Sequence, residues 1–146
     1  MAHFPQVATL FASAVRATAV ADSSSTAVAN IGAAKRAIIL LDVTASAGAG
    51  ADTLSVYIDM LGPDGATWIN AGRFTTIVGS SAAIKHWMAL SEAAAPAATT
   101  FDVTANCNAG VTKPYVWGTQ MRARYTLLDG GDGLQSMTFS VTALLQ

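Results

Sequence analysis

The fold is decided by residues 117–145, WGTQMRARYTLLDGGDGLQSMTFSVTALL. Met121, Ala123, Tyr125 and Leu127 alternate with Gln120, Arg122, Arg124 and Thr126, and further on Gln135, Met137, Phe139, Val141, Ala143 and Leu145 fall at every second position. A period of two places successive side chains on opposite faces, which is the signature of strands. Between the two runs, Asp129-Gly130-Gly131-Asp132-Gly133 supplies residues that tolerate positive φ, so the pair is expected to form a hairpin. An isolated hairpin is marginal in water, and the remaining chain must provide further strands and a second sheet to cover its apolar face.

Working outward, the Ala37–Thr44 run (AIILLDVT) is a continuous β-branched and leucine stretch, expected to be a central strand buried on both faces. Leu54, Val56, Ile58 and Met60 alternate with Ser55, Tyr57 and Asp59. Gly62-Pro63-Asp64-Gly65 turns the chain into a return strand over Thr67–Thr75. Leu10–Val20 is expected to be a strand, followed by a polar break at Asp22–Thr26. Residues 81–95 have both helical and alternating spacing; strand is preferred because the neighbours are strands and Gly79-Ser80-Ser81 suits a hairpin turn. Phe101–Thr104 is expected as a short edge strand, with a loop over 106–114. Seven or eight strands without a fixed repeat predict an all-β, antiparallel two-sheet sandwich of jelly-roll type. Residues 1–9 are expected to form an extended N-terminal arm, because Pro5 interrupts any period, and residues 10–146 the single sandwich domain. Phe4, Val7 and Leu10 are the apolar residues at that end, with Phe4 expected to anchor the arm on an adjacent subunit.

Of the 146 residues 52% are hydrophobic and only 12% charged, against roughly 25% charged in an ordinary soluble domain. With a net charge of −1, little self-repulsion keeps copies apart. A homodimer or homotrimer is expected, the alternative being a monomer content with exposed Ser, Thr and Ala. The eight Lys and Arg form no phosphate-tracking stripe, so nucleic acid is not an expected partner. The start has no basic segment followed by a long apolar one, and no run of about 20 apolar residues occurs, so neither a signal peptide nor a membrane is expected. Cys107 stands alone and fits a reducing compartment.

Chemistry is sparse. His3, His86 and Cys107 lack metal-ligand spacing, and Asp129 and Asp132 lack the downstream bidentate Glu of a calcium loop, so no metal or cofactor is expected. Asp59 and Asp64 are explained by solvent and by the turn. Ser80 and Ser81 precede His86 without a nucleophile-elbow motif, which keeps a hydrolase open as a reading that needs those groups to meet in space. Trp68, Trp87 and Trp117 are either core and interface residues or a glycan-binding face. Arg122 and Arg124 share one strand face, which is either solvated or binds an acidic partner.

Ser13-Ala14-Val15-Arg16-Ala17-Thr18, Ile39-Leu40-Leu41-Asp42-Val43-Thr44-Ala45, Met121-Arg122-Ala123-Arg124-Tyr125-Thr126 and Phe139-Ser140-Val141-Thr142-Ala143 together resemble small virion structural proteins of tailed bacteriophages and prophages. The order and spacing of these stretches match as well. The group often carries a Trp just before its Arg-x-Arg strand, whereas Trp117 is set back by several residues, and residues 81–114 do not share the pattern. The resemblance implies a non-enzymatic protein, most similar to capsid decoration or cement proteins. It further implies residence on the virion after synthesis in the host cytoplasm, and the major capsid protein as partner. A tail or head-to-tail connector component, or a host-surface glycan-binding module, are the alternatives.

Overall fold

The computed structural model describes residues 5–48, 50–92, 104–113 and 116–146. The described residues contain nine strands and one 3-10 turn (Ile31–Ala33): β1 (Gln6–Arg16), β2 (Val20–Ser24), β3 (Arg36–Ala47), β4 (Thr53–Leu61), β5 (Trp68–Arg73), β6 (Ile77–Val78), β7 (Ile84–Ser91), β8 (Met121–Leu128) and β9 (Ser136–Leu145). They form two antiparallel sheets, ordered β1-β9-β3-β7 and β2-β8-β4-β5, with β6 also paired to β4. The protein is an all-β sandwich. No helix among the described residues is long and apolar enough to cross a membrane.

The C-terminal stretch is two strands but not a hairpin. β8 pairs with β2 and β4, whereas β9 pairs with β1 and β3, so Asp129–Gly133 carries the chain from one sheet to the other. A reversal satisfies both topologies equally, and the apolar faces of the two strands meet across the core instead of lying side by side. The same holds for the 79–81 turn, since β6 and β7 also lie in different sheets. The β4–β5 reversal is a true hairpin, Asp59 opposite Asn70 and Leu61 opposite Trp68. Gly65 adopts φ +68° there, a conformation that costs glycine least.

Facing residues fill the core in alternation: Ile39, Leu41 and Val43 of β3 and Met137, Phe139 and Val141 of β9 meet Leu54, Val56, Ile58 and Met60 of β4 and Met121 and Leu127 of β8. β3 is central, as its composition predicts, but only one of its faces is buried. Ile38, Leu40 and Asp42 are half-buried on the other. The break expected at Asp22–Thr26 is partly strand: β2 is an edge strand on β8, and the polar side chains of an edge are free to face water. Residues 84–91 are strand, as preferred over helix. Thr104 stands in a turn, and Phe101–Val103 of the expected edge strand lie outside the described residues.

The N-terminal arm expected over residues 1–9 is corrected from Gln6 onward, residues 1–4 lying outside the described residues. From Gln6 onward the chain pairs with β9, Gln6 opposite Leu145 and Thr9 opposite Thr142. Ala8 and Leu10 point into the core while Val7 and Thr9 point out. Pro5 sits just ahead of the strand, where its missing N–H costs no ladder bond. Leu10 is therefore a core residue and not a contact for a neighbour; Phe4 lies outside the described residues.

Candidate functional site

Arg122 and Arg124 project from the outer face of β8 toward Asp59 on β4, whose carboxylate is 2% exposed. Arg124 donates from Nε at 3.0 Å and from Nη2 at 3.3 Å, and Arg122 donates from Nε at 3.3 Å. Asn70 Nδ2 adds a fourth bond at 3.0 Å, and its Oδ1 accepts from the Cys107 backbone at 2.7 Å. Arg124 also reaches Asn106 Oδ1 at 2.6 Å. The two guanidinium groups stack over Trp68 and Tyr57, at 4.4 and 4.3 Å from the ring centroids. Burial works against the Arg124 charge, but hydrogen bonding and attraction to Asp59 outweigh it and raise its pKa.

This network corrects two expectations: Asp59 is not solvated, and Arg122 and Arg124 are engaged within the chain by its carboxylate. Segment 104–113 completes the roof over β4 and β5. Lys113 N–H bonds Ala71 O, Gly110 N–H bonds Arg73 O, and Thr112 bridges Gly72. Burial above its neighbours pushes the Cys107 thiol up.

The three tryptophans do not share a face. Trp68 lines a cleft with Asp59 and Arg122, Trp87 one with Arg73 and His86, and Trp117 one with Pro63 and Leu61. Trp117 is half-buried, its indole N–H without a partner among the described residues. Trp87 stands 70% exposed on β7, so the combined glycan face expected of three clustered rings is not assembled.

Trp87 instead belongs to the outer face of the β1-β9-β3-β7 sheet. The registers place Val7, Leu144, Ile38 and Ala89 in one row across the four strands, and Thr9, Thr142, Leu40 and Trp87 in the next. Val7 is 69% exposed. Charges stand at both ends of these rows: Asp42 with Lys85 on one side, Arg36 on the other. The two outer faces thus differ. One is roofed by arginines, Trp68 and segment 104–113, while the other presents an apolar band.

A second set of exposed apolar residues lies at the end of the sandwich where β1–β2, β3–β4, β6–β7 and β8–β9 connect. Val15, Val78, Leu128 and Leu134 are all exposed at this end, as the pairings of Thr53 with Leu128 and Val78 and of Arg16 with Met137 show. Asp52, Asp129 and Asp132 gather at the same end with carboxylate oxygens within 4.8 Å of one another. Hydrogen bonding accounts for much of this: Asp129 Oδ1 accepts from the N–H groups of Gly131, Asp132 and Gly133, and Asp52 Oδ1 from Gly130. Those backbone donors lower the Asp129 pKa.

His86 lines a cleft of about 310 Å³ with Arg73, Phe74, Thr75, Lys85, Trp87, Met88, Gly110 and Thr112. Ser80 and Ser81 are not among these lining residues. Ser81 sits in the turn before β7 with its carbonyl accepting from Ser46 Oγ at 2.5 Å, and Ser80 lies beside Gly50. No protein-family model, curated protein or solved structure matches this chain.

Proposed function

We propose that the chain is a non-enzymatic virion structural protein of a tailed bacteriophage, a decoration or cement protein that bridges major capsid protein subunits on the head. The observation that carries this reading is the strand order. With β1-β9-β3-β7 facing β2-β8-β4-β5, every connection between these eight strands except β4–β5 passes from one sheet to the other. We read this as a jelly roll, an architecture that viral capsid and lectin domains use. Fold alone does not assign function. Support for the phage reading comes from the stretches that resemble virion proteins, three of which fall on β3, β8 and β9, and from the scarcity of charge.

On this reading the apolar end, with Val15, Leu128 and Leu134, is the surface that meets the shell. A standard interface buries about 1,600 Å² in total, and repetition over a shell multiplies modest single affinities. Mass spectrometry and imaging of purified virions test the proposal. The expected result is many copies on the head; a few copies at the neck would favour the connector alternative, and location at the tail tip or absence from particles would overturn the proposal.

A further inference from the structure

We infer that the outer face of the β1-β9-β3-β7 sheet, which no described segment covers, is a self-association surface, whose occupant is the same face of a second copy of this chain, related by a two-fold axis. The inference stands on this sheet's geometry and does not need the virion reading. A two-fold pairing centred on Ile39 overlaps Arg36–Asp42 of β3 and their row partners on the other three strands; at roughly 3.4 Å per residue and about 4.8 Å between strands this is on the order of 24 by 19 Å, or about 460 Å² from each copy. That is somewhat over half of the roughly 800 Å² each partner gives to a standard interface, and it sets a modest affinity.

Complementarity selects a second copy as the occupant. Along β3 and β7 the outward rows run Asp42 with Lys85, Leu40 with Trp87, Ile38 with Ala89, and Arg36 with Ser91. Take a two-fold axis lying between two such sheets, perpendicular to the strands and level with Ile39. It sets Leu40 of one copy over Ile38 of the other, and Trp87 over Ala89, so the largest outward side chain meets the smallest, twice. The two Trp87 rings then stand about two residues apart along the strand, roughly 6.8 Å, within the range over which aromatic pairs attract.

The same operation lays Asp42 over Arg36 and Lys85 over Ser91, which sets opposite charges face to face at both margins; Lys85, one strand to the side of that Arg36, is already paired to Asp42 of its own sheet. Arg36 is held ready by Gln146, whose Oε1 accepts from Arg36 Nε at 2.6 Å. A band in which Trp87 faces Ala89 twice and Asp42 faces Arg36 at each margin is self-complementary under this operation, the condition an isologous interface must meet. The apolar end of the sandwich points along the strands and stays free for another partner.

Sedimentation equilibrium and native mass spectrometry on the full chain test the inference. A dimer is expected at micromolar concentration, with acrylamide quenching of Trp87 falling as dimer forms. Trp87→Ser and Ala89→Arg are each expected to weaken association by about 30-fold or more, the effect of losing a central anchor. Both positions are exposed, so the melting curve of the monomer should hold; a variant with a collapsed melt is replaced by the charge series. Arg36→Glu and Asp42→Lys each weaken the dimer, and the double variant regains it. A monomer at all concentrations, a trimer, or a dimer indifferent to all four substitutions would overturn the inference. So would Trp87 becoming protected only on a capsid surface.

Discussion

Replacing Asp59 with Ala removes the centre of a buried charge network that ties β4 to β8. Two guanidinium groups lose this carboxylate, Arg124 keeping Asp22 at 3.7 Å, while Asn70 keeps its bonds to Ile58 O and Gly72 O. Removing one partner of a buried ion pair costs about 3–5 kcal/mol. The Arg122 and Arg124 side chains are 24% and 13% exposed, so water recovers part of their solvation and the lower end, about 3 kcal/mol, is the expected loss. At roughly 2–4 °C per kcal/mol for a chain of this size, the midpoint should fall by about 6–12 °C. Urea unfolding should show a lower midpoint with an unchanged slope. Asp59→Ala combined with Arg124→Ala should lose less than the sum of the single variants, by about 0.5–3 kcal/mol, because the two act through one contact. A loss below about 1 kcal/mol for Asp59→Ala would place the network with ordinary surface pairs and refute the reasoning.

Gly118→Ala should destabilise by about 1–3 kcal/mol or more, since an added Cβ would stand 2.2 Å from the Leu61 carbonyl oxygen, and backbone does not step aside; urea unfolding measures it. The Asp64 carboxylate accepts from the Thr67 hydroxyl, Thr67 N–H and Ala66 N–H, which holds its pKa down to about 2. Its stabilisation of the β4–β5 turn is therefore complete above the ordinary carboxylate range and is lost as pH falls toward 2; Thr67→Val should move the Asp64 NMR titration upward. Arg16 lies over Phe139 at 4.1 Å and bonds its carbonyl at 3.0 Å, with Phe11 and Tyr125 beside it; Arg16→Ala should cost about 1–2 kcal/mol and alter the near-ultraviolet circular dichroism of these rings. Leu134→Asp, at an exposed tip, should leave the melt within about 0.5 kcal/mol and abolish attachment to particles, the readout specific to the proposed function.

The strands were legible because alternation is local: β4, β8 and β9 each carry their inside and outside in their own residues. Pairing is not local. Gly62-Pro63-Asp64-Gly65 gives a hairpin and Asp129–Gly133 a crossover, and nothing within either turn separates the two outcomes; the difference lies in which strands the neighbours offer. The burial of Asp59 was hidden for a related reason. Alternation says that it faces away from the core, but not that arginines 63 and 65 residues further on and the 104–113 segment will cover it. The available signal was the Arg-x-Arg pattern itself, two cations on one face of a strand in a chain with few charges to spend on solvent. At β3 the misreading ran the other way, because a continuous apolar run looks the same whether its second face is covered by its own chain or left for another.

That ambiguity at β3 bears on how the chain uses its charge. Eight basic and nine acidic side chains are few for 146 residues, and several are turned inward: Asp59, Arg122 and Arg124 in one network, Arg16 among three rings, and Arg73 bonded to Ser55 and Thr76. Charges used to roof one sheet are not available to the other, whose outer face presents Ile38, Leu40, Leu144 and Trp87 with charge, among the described residues, at its margins. Self-repulsion at a net charge of −1 is too weak to hold two such faces apart. An exposed apolar band of this kind is the surface that the inferred self-association would cover. The same apolar β3 sequence that looks like a strand buried on both faces is therefore consistent with a strand whose second face is buried only when a partner arrives.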